Sequence, residues 1–504
     1  MTGYLLGIDA GNTMVKAVLF DTEGTQVAVR SCPCRTEQPR PGHVERDIGE
    51  LTASLTTAIR DCLARSGVDP AQILGIGAAG HGNGLYVLDR AGAPLKGIQS
   101  IDTRAAALVE EMGPARARAH ALSLQKTWAA QTPVLLAWAQ RHDPGLIAQA
   151  GHFLLCKDVI VHHLTGVIST DISDAAVAGL IRFPERRYDD ELLGLYGIAG
   201  LRDRLPPVHE TCEVVGHVTP EAAARTGLAA GTPVVAGMID IVASAVGSGV
   251  SRTGEASIVA GTWSINQVVV DRPKLDALVF MTSVLERDRY MVVEASPTSA
   301  ANLEWFIREF AGMGEGGSAG AAAACSAAVA GVTPSADLPY YHPYLYGSSF
   351  DDHAQGGFYR LAGWHTRAEL LYALFEGVVF GHRRHLDVLR AAGAEVSSAV
   401  LSGGAVRSDI WPQMFADILG MPITTSDCPE TGALGACIAA AVGVGLAGGI
   451  TEAAGAMTAP ARAFTPSATH AELLEARYRS FLGLASAMMP VWAGEQPRPV
   501  AAAS

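Results

Sequence analysis

The chain has 504 residues, of which 49% are hydrophobic and 17% charged, and its formal net charge is -13. This length exceeds what one ordinary core accommodates, so we expect at least two domains. The acidic balance argues against nucleic-acid binding, because phosphate backbones select basic surfaces, and the eight cysteines contain no Cys-x-x-Cys pair, which is typical of reduced thiols in a cytoplasmic protein.

No stretch of the chain predicts membrane insertion. Asp9 interrupts the N-terminal apolar residues before a signal-type segment forms. Residues 431–451 carry no charge and are long enough to span a bilayer. They consist mainly of Ala and Gly, however, and glycines interrupt their second half, so we predict a buried helix followed by a glycine-rich turn. We therefore expect no membrane partner.

Residues 5–21 predict a β-hairpin, because two runs of residues that pack well on a pleated surface flank a small polar turn. The polar residues at and beside this turn are Asp9, Gly11, Asn12, Thr13 and Lys16. A carboxylate holds a hard cation directly or through water, and glycine lets the backbone approach an anion closely. The hydroxyl, amide and ammonium groups add donors for phosphate oxygens. An isolated Asp-x-Gly-x-Thr is more often a solvated turn, so the phosphate interpretation depends on the rest of the chain.

An amphipathic helix is predicted over residues 47–66, and a short strand over residues 73–78. The strand opens a Gly-x-Gly-x-x-Gly pattern at Gly75, Gly77 and Gly80. A dinucleotide site requires a helix directly after this pattern, because the helix N-terminus meets the pyrophosphate. A loop and another strand come next here, so the pattern does not favour a dehydrogenase.

Four polar side chains lie in loops that follow predicted strands, namely His81, Asn83, Asp102 and Arg104. Such loops are where open α/β sheets bind ligands. Hydroxyl-rich ligands need mixed donors and acceptors, because each hydroxyl both gives and receives a hydrogen bond. Each of these residues alone is equally well explained as an ordinary turn residue.

Asp240 is the only charged residue between Arg225 and Arg252. It follows a buried strand predicted over residues 232–237 and precedes a small, apolar segment. An aspartate at such a junction is favoured as a helix N-cap for purely local reasons. It also suits a general base that faces a cleft. The flanking Gly and Ala residues permit close approach of a ligand, which favours the general base.

Residues 255–271 repeat the hairpin pattern, with two apolar runs around a small polar turn. A gapless alignment of the two hairpins pairs Gly261 with Gly11 and Val259 with Asp9. This indicates an internal duplication in which the turn is kept and the carboxylate is absent from the second copy. We expect the two hairpins to face each other across a cleft and to hold a phosphate chain from both sides.

A further candidate region lies in the C-terminal half. A strand predicted over residues 400–404 ends in glycines, and Ser408 and a helix through Gln413 come after it. Glycines at this place open space for a planar base or a phosphate against the backbone. No Walker-type or protein-kinase signature occurs in the sequence, so a nucleotide site must have another architecture.

A strong amphipathic helix is predicted over residues 365–389. His382 and His385 lie one turn apart on it. Because no third metal ligand accompanies them, we expect both side chains to be solvated rather than metal-binding.

The order of these features resembles the FGGY carbohydrate kinases, in the group that contains actin, Hsp70 and the sugar kinases. Residues 7–13 are similar to the family's first phosphate motif, residues 259–262 to the second and residues 401–405 to the adenosine motif. Residues 237–240 are similar to the region of the family's catalytic aspartate. The resemblance implies an α/β fold of two duplicated ribonuclease H-like, actin-like ATPase domains with a catalytic cleft between them.

The resemblance also implies phosphoryl transfer from ATP, with Mg²⁺, to a hydroxyl of a small sugar or polyol. The implied N-terminal domain covers residues 1–247 and contains the sugar site, the first phosphate motif and the catalytic aspartate. The implied C-terminal domain covers residues 248–490 and contains the second phosphate and adenosine motifs. Residues 491–504 are a C-terminal tail.

Carried over residue by residue, the resemblance makes Asp240 the base that takes the proton of the attacking hydroxyl, and Asp9 the residue that positions Mg²⁺. The implied nucleotide-binding residues are Gly11, Asn12, Thr13, Lys16, Gly261, Thr262, Gly403, Gly404, Ala405, Ser408 and Gln413. The implied substrate-binding residues are His81, Asn83, Asp102, Arg104 and Asp240. This set agrees with the chemistry, because phosphoryl transfer needs mainly alignment and charge neutralisation, with a carboxylate near the acceptor.

The substrate region differs from that of the D-xylulose kinases of the family. Asn83 stands where those enzymes have a histidine, and their Trp-Asn-Asp-x-Arg motif becomes Ser-Ile-Asp-Thr-Arg at residues 100–104. The latter stretch is more similar to the L-xylulose kinases, which differ at His81. We therefore expect a pentulose such as xylulose, with pentitols, erythritol and glycerol-type polyols as alternatives. A non-enzymatic actin-like or Hsp70-like sugar sensor would share the fold without needing Asp240, and a homodimer is left open.

Overall fold

A computed structural model describes residues 3–277, 279–311 and 317–494 of the chain. The chain forms two compact units, neither of which is continuous in sequence. Unit 1 comprises Met1–Thr253, Val269–Val292 and Asp427–Ala459, and unit 2 comprises Gly254–Val268, Val293–Ser426 and Pro460–Ser504. The domain boundaries inferred from the sequence stay a prediction, and residues 495–504 of the predicted tail lie outside the described residues.

The strands up to residue 217 are β1 (Tyr4–Ala10), β2 (Met14–Asp21), β3 (Gln26–Pro33), β4 (Glu45–Arg46), β5 (Ile73–Gly80), β6 (Leu85–Asp89), β7 (Pro94–Ile98), β8 (Ala150–Leu154), β9 (Thr170–Asp171), β10 (Ile181–Arg182), β11 (Arg187–Tyr188), β12 (Val208–His209) and β13 (Val214–His217). The later strands are β14 (Pro233–Val235), β15 (Met238–Ile239), β16 (Glu255–Ala260), β17 (Ser264–Val270), β18 (Met281–Glu286), β19 (Arg289–Ser296), β20 (Tyr340–His342), β21 (Gly357–Tyr359), β22 (Ser398–Ser402), β23 (Ile423–Ser426) and β24 (Pro460–Phe464).

The helices up to residue 247 are α1 (Ile48–Ser66), α2 (Ala106–Glu111), α3 (Ala115–Ser123), α4 (Thr132–His142), α5 (Pro144–Gln149), α6 (Cys156–Thr165), α7 (Ile172–Val177), α8 (Asp190–Leu195), α9 (Pro220–Thr226) and α10 (Asp240–Gly247). The later helices are α11 (Ala301–Phe306), α12 (Gly317–Ala330), α13 (Arg367–Ala391), α14 (Trp411–Leu419), α15 (Thr431–Gly443), α16 (Ile450–Met457) and α17 (Ala471–Trp492).

The first large sheet has the strand order β13-β14-β5-β1-β2-β3, with β15 pairing with β5 beside β14. β1 is antiparallel to β2 and parallel to β5, and β14 is also parallel to β5. The outer strand β13 is antiparallel to β14. The hairpin predicted from residues 5–21 is confirmed, and it forms the centre of this sheet.

The second large sheet has the strand order β18-β19-β17-β16-β22-β23-β24. β16 is antiparallel to β17 and parallel to β22, β22 is parallel to β23, and the outer strand β24 is antiparallel to β23. Both sheets therefore place a hairpin next to two parallel strands and finish with an antiparallel outer strand. The prediction of an α/β chain built from two duplicated halves is confirmed, whereas the cleft between them stays a prediction.

Helices cover both faces of the first sheet. Leu6 and Ile8 of β1 share one buried core cluster with the apolar side of α1. A side chain at position 7 would lie on the opposite face, because side chains alternate along a strand. A Cβ added to Gly7 would lie 2.1 Å from the carbonyl oxygen of Ala433, and one added to Gly77 would lie 1.9 Å from that of Ala436. Helix α15 thus rests directly on the backbone of β1 and β5.

This packing explains the Gly-x-Gly-x-x-Gly pattern. The three glycines lie within β5, and β6 begins after a short loop. The pattern therefore serves helix packing, and the expectation that it does not mark a dinucleotide site agrees with the absence of a helix after β5 at residues 81–84.

Two helices test the predictions about buried residues that were made from the sequence. Residues 431–443 form the predicted buried helix, which ends where the glycine-rich turn begins. Among the described residues, no helix combines the length and the apolarity that a membrane span needs. The amphipathic helix predicted over residues 365–389 is present as α13, but the expectation of solvated histidines is wrong, because His382 and His385 are both buried. Helix α13 has packing partners on more than one side, which the sequence period did not indicate.

Candidate active site

The first hairpin places Asp9 near the end of β1, directly opposite Lys16 on β2. The Lys16 ammonium lies 2.7 Å from Oε2 of Glu430, the residue just before α15. A Cβ added to Gly432 would stand 2.6 Å from Oδ2 of Asp9, so α15 begins against this carboxylate. Burial raises the pKa of Asp9 to about 6, while Lys16 lowers it and Glu430 raises it.

Asp240 lies at the same edge of the sheet as Asp9. Met238 of β15 and Asp9 of β1 both pair with Ala79 of the intervening strand β5. Asp240 is the first residue of α10, and the N-cap position before it is Ile239, where no side-chain cap forms. Burial raises the pKa of Asp240 to about 7, and the negative charge of Asp9 contributes to the rise. The N-cap alternative is therefore wrong for Asp240, and its role as a base stays a prediction.

A buried cluster of charges supports the strand that precedes Asp240. The Lys157 ammonium lies 2.5 Å from Asp158, 2.9 Å from Asp171 and 3.7 Å from Asp174, and all four side chains are inaccessible to solvent. One ammonium cannot balance three carboxylates, and burial raises the pKa of Asp174 well above its ordinary range despite Lys157.

The cluster reaches the strand before Asp240 through α7. Asp171 accepts a hydrogen bond from the Ser173 amide at 2.6 Å and so caps α7. Ser173 Oγ in turn accepts the amide hydrogen of Ile239 at 3.0 Å. The cluster therefore fixes the backbone immediately before Asp240. Asp171 is therefore the N-cap of α7.

His81 and Asn83 follow β5 at the edge where Asp9 and Asp240 lie. The Nε2 atom of His81 lies 2.9 Å from the Tyr86 hydroxyl, and burial lowers the pKa of His81 to about 3. This imidazole is therefore neutral at physiological pH. Asn83 is buried with a positive φ of 62°. Its Oδ1 atom has no hydrogen-bond partner among the described residues.

Asp102 and Arg104 form a buried ion pair. The Asp102 carboxylate accepts the amide hydrogens of Val44 at 2.6 Å and of Arg104 at 2.8 Å, and it lies 2.8 Å from the Arg104 guanidinium. Arg104 also pairs with Glu45 at 2.8 Å and stacks on Trp138. Its Nη1 atom is buried and, within the described part of the chain, has no acceptor. Asp102 thus orients Arg104, and one donor of the guanidinium is left available.

Two buried side chains bind the backbone carbonyls in the turn of the first hairpin. The carbonyl oxygens of Gly11 and Asn12 both accept hydrogen bonds from the Arg46 guanidinium, and Gln99 donates to the Asn12 carbonyl at 2.7 Å. The Asn12 amide group bonds with Ser100 at 3.2 Å. Asn12 therefore has intramolecular partners.

Thr13 is exposed at the tip of this turn. Of the residues that surround the hairpin, Arg46, Gln99 and Glu430 were not predicted from the sequence.

Gly261 and Thr262 form the corresponding turn in unit 2. Their carbonyl oxygens accept the amide hydrogens of Ala300 at 2.8 Å and Ser299 at 3.1 Å, and the Thr262 side chain is exposed. Gly403 has φ 86°, and a Cβ added there would lie 2.8 Å from the Ala260 carbonyl. The glycines after β22 therefore lie against the second turn, and their part in a phosphate or base site stays a prediction.

The other predicted adenosine residues have intramolecular roles. Ser408 Oγ accepts the amide hydrogen of Trp411 at 3.1 Å, at the start of α14, and bonds with Ser326 at 2.7 Å. Gln413 donates to Asp417 at 2.8 Å. Ala405 is buried, and Gly404 lies beside Gly403. Adenosine binding by these residues stays a prediction.

Two family models together match most of the chain. The family model described as the N-terminal domain of the FGGY family of carbohydrate kinases matches residues 4–247, and the model of the C-terminal domain matches residues 256–444. The chain belongs to the FGGY family of carbohydrate kinases. This FGGY kinase is therefore a phosphotransferase that acts on an alcohol group, and the family uses ATP.

Several relatives match this FGGY kinase over nearly its whole length. It is 35% identical over 495 residues to the L-xylulose/3-keto-L-gulonate kinase of Escherichia coli strain K12, covering 97% of this chain and 98% of the relative. It is 33% identical to the probable L-xylulose kinase of Pasteurella multocida strain Pm70, covering 96% and 99%. The crystal structure of xylulose kinase from Rhodospirillum rubrum superposes with a TM-score of 0.90 at 29% identity, covering 97% and 100%.

Proposed function

We propose that this FGGY kinase transfers the γ-phosphoryl group of ATP to a hydroxyl of a pentulose, with L-xylulose as the first candidate. The observation that carries the proposal is Asp240, a carboxylate at the start of α10 that shares a sheet edge with Asp9 and whose pKa burial raises to about 7. The names of the relatives from Escherichia coli and Pasteurella multocida support the choice of sugar.

Asp240 suits a general base for this reaction. A base is most effective when its pKa lies near the operating pH, because it is then ionised and still accepts a proton readily. Phosphoryl transfer otherwise depends on alignment and on neutralising charge. Thr13 and Lys16 supply a hydroxyl and an ammonium group at the first turn, and Thr262 supplies a hydroxyl at the second.

The first hairpin also fits a magnesium ion. The negative charge of Asp9 contributes to the raised pKa of Asp240, and the Lys16 ammonium opposite Asp9 also pairs with Glu430. Magnesium is bound in such sites by one or two carboxylates together with water and phosphate oxygens. When bound, it neutralises charge on the β- and γ-phosphates. We propose that Asp9 holds it, and the donor chemistry is compatible with this role.

The sugar would bind where unpartnered polar atoms remain. Asn83 Oδ1 and Arg104 Nη1 are a buried acceptor and a buried donor without partners among the described residues. Buried polar groups are normally paired, so a ligand hydroxyl is a suitable partner for each. In this proposal Asp102 positions Arg104, and neutral His81 donates or accepts a single hydrogen bond. We propose residues 1–247 and 248–490 as the N-terminal and C-terminal domains.

The test is an ADP-release assay coupled to a dehydrogenase, run over L-xylulose, D-xylulose, other pentuloses, pentitols, erythritol and glycerol. We expect the highest kcat/KM with L-xylulose. Asp240→Asn should abolish phosphorylation while thermal protection by ATP is kept, and Asp203→Asn, at an exposed aspartate, serves as the control. Preference for a polyol would overturn the assignment of the sugar, and an active Asp240→Asn enzyme would overturn the role of Asp240.

A further inference from the structure

His382 lies at the centre of a buried polar network in unit 2. Its Nδ1 atom is 2.8 Å from Oδ1 of Asn266 and 3.1 Å from Oγ of Ser264, and its Nε2 atom is 2.8 Å from Oγ of Ser299. All four side chains are buried. Both ring nitrogens of this histidine therefore have hydrogen-bond partners within the protein.

The network assigns the protonation state of the ring. The amide nitrogen of Asn266 donates to Ser264 Oγ at 3.1 Å, which leaves Oδ1 of Asn266 as an acceptor for Nδ1–H of His382. Nε2 then accepts the hydroxyl hydrogen of Ser299. Burial lowers the pKa of His382 well below its ordinary range, which agrees with a neutral ring. Every polar atom of the imidazole thus has a partner of the correct kind.

The partners of His382 lie on both sides of the second turn. Ser264 is the first residue of β17 and comes directly after the turn at residues 261–263. Ser299 holds the turn from the other side, because its amide donates to the Thr262 carbonyl, and the next amide, that of Ala300, donates to the Gly261 carbonyl. One imidazole therefore connects the end of the turn to the segment that holds its carbonyls.

An apolar residue would pack at this position but would not make these connections. It would leave the Ser299 hydroxyl and the Asn266 amide oxygen buried without their partner. Such groups either become unpaired or pull the backbone into a new arrangement. The backbone that would shift is that of the turn, since Ser264 and Ser299 flank it.

We propose that His382 is a positioning residue for ATP, which sets the backbone of the turn at residues 261–263 so that this turn receives the phosphates. The inference rests on the proposed function, in which Gly261 and Thr262 hold the phosphate chain. His382, on α13, is not among the site residues that were predicted from the sequence. The effect is specific to the nucleotide, because none of the described contacts of His382 involves a predicted sugar-binding residue.

His385 provides a matched control on the same helix. It is buried to the same extent as His382, one turn away. Its Nε2 atom contacts Ser296 Oγ at 2.5 Å, and its Nδ1 atom lies 3.5 Å from Glu294. A substitution of His385 therefore disturbs a buried polar histidine of α13 without removing a contact to Ser264 or Ser299.

The experiment measures initial rates of the full-length enzyme against ATP at saturating sugar and against sugar at saturating ATP. The variants are His382→Leu, His382→Gln, Ser299→Ala and the control His385→Gln. For His382→Leu we expect KM for ATP to rise about tenfold with KM for the sugar changed less than about twofold, as lost ground-state binding of one substrate requires. Ser299→Ala should give a smaller rise of the same kind, and His382→Gln an intermediate one. His385→Gln should leave both KM values near those of the wild type.

Equal rises in both KM values, or a lower melting temperature with unchanged KM for ATP, would overturn the inference. Ser299→Ala keeps the test decisive if His382→Leu does not fold, because it removes only one hydroxyl. If the wild-type enzyme phosphorylates no sugar, the proposed function fails. The inference is then judged by the ATP concentration that gives half-maximal thermal protection, and an unchanged concentration in Ser299→Ala and His382→Gln contradicts it.

Discussion

Asp240→Asn is expected to stabilise the ligand-free protein while it abolishes phosphorylation. Burial raises the pKa of Asp240 from 3.8 to about 7. This difference corresponds to about 4 kcal/mol in favour of the protonated carboxyl, at about 1.4 kcal/mol per pH unit. Because the side chain is partly exposed, solvent reduces the figure, and we expect about 2 kcal/mol.

The pH dependence of this stabilisation follows from the difference between the pKa of Asp240 in the folded and in the unfolded protein. A group whose pKa is higher in the folded state binds its proton more tightly there, so its contribution to stability is complete below the unfolded-state pKa. That contribution is lost as the pH rises from about 4 to about 7, because the unfolded chain ionises first. Asparagine does not titrate. The gain in stability of Asp240→Asn should therefore be near zero at pH 4, grow up to pH 7 and stay constant above it.

The assay is thermal unfolding without ATP or Mg²⁺, since bound ligands would stabilise the two proteins differently. A gain of about 2 kcal/mol should raise the melting temperature by roughly 2 to 3 °C at pH 8, because the shift becomes smaller as the cooperatively unfolding unit becomes larger. Asp203→Asn, at an exposed position, should show no such pH-dependent gain. A variant no more stable than the wild type at pH 8, or a gain of the same size at pH 4 and pH 8, would refute the reasoning from burial.

Two glycine substitutions test the packing of α15. Gly432→Ala places a methyl group 2.6 Å from the Asp9 carboxylate oxygen. Because the end of a side chain can move, we expect the enzyme to need more Mg²⁺ in the kinase assay while its melting temperature changes little. An unchanged Mg²⁺ requirement would contradict the position of Asp9. Gly435→Ala places a methyl group 1.9 Å from the Ala243 carbonyl oxygen in α10. Because backbone atoms cannot move aside as a side chain can, the melting temperature of this variant should fall by several degrees. The control Gly483→Ala in α17 has no atom within 4 Å of the added methyl group and should not lower the melting temperature.

The central hairpins could be predicted from local pattern alone. Residues 5–21 form β1 and β2 almost as predicted, because two apolar runs around a small turn that contains glycine determine a hairpin locally. The duplication was also predictable, but its register was not. Ala10 pairs with Val15 across the first turn, whereas Ala260 pairs with Ser264 across the second. The second turn is thus one residue shorter, which a gapless alignment cannot reveal.

The surroundings of the site could not be predicted in the same way. Glu430 pairs with Lys16 across 414 positions of the chain, and no local pattern encodes such a contact. His382 was expected to be solvated because no third metal ligand accompanies it and His385. The helical period could not correct this, since it shows which residues share a face but not what packs against that face. Asp240 stood out only because charged residues are absent around it, and its nearness to Asp9 depends on the parallel pairing of β5 with both β1 and β15.

The two turns take the same place in their hairpins but differ in length and in chemistry. In the first hairpin Asp9 pairs with Lys16 across the strands, and at the equivalent register of the second hairpin Val259 pairs with Ile265. The first turn is held by the charged Arg46, and the second by main-chain amides and a neutral imidazole network. A second buried carboxylate would repel phosphate without a second metal to compensate. The two hairpins therefore share their antiparallel pairing, and of the two equivalent positions Asp9 and Val259 a carboxylate is present in the copy proposed to hold the metal.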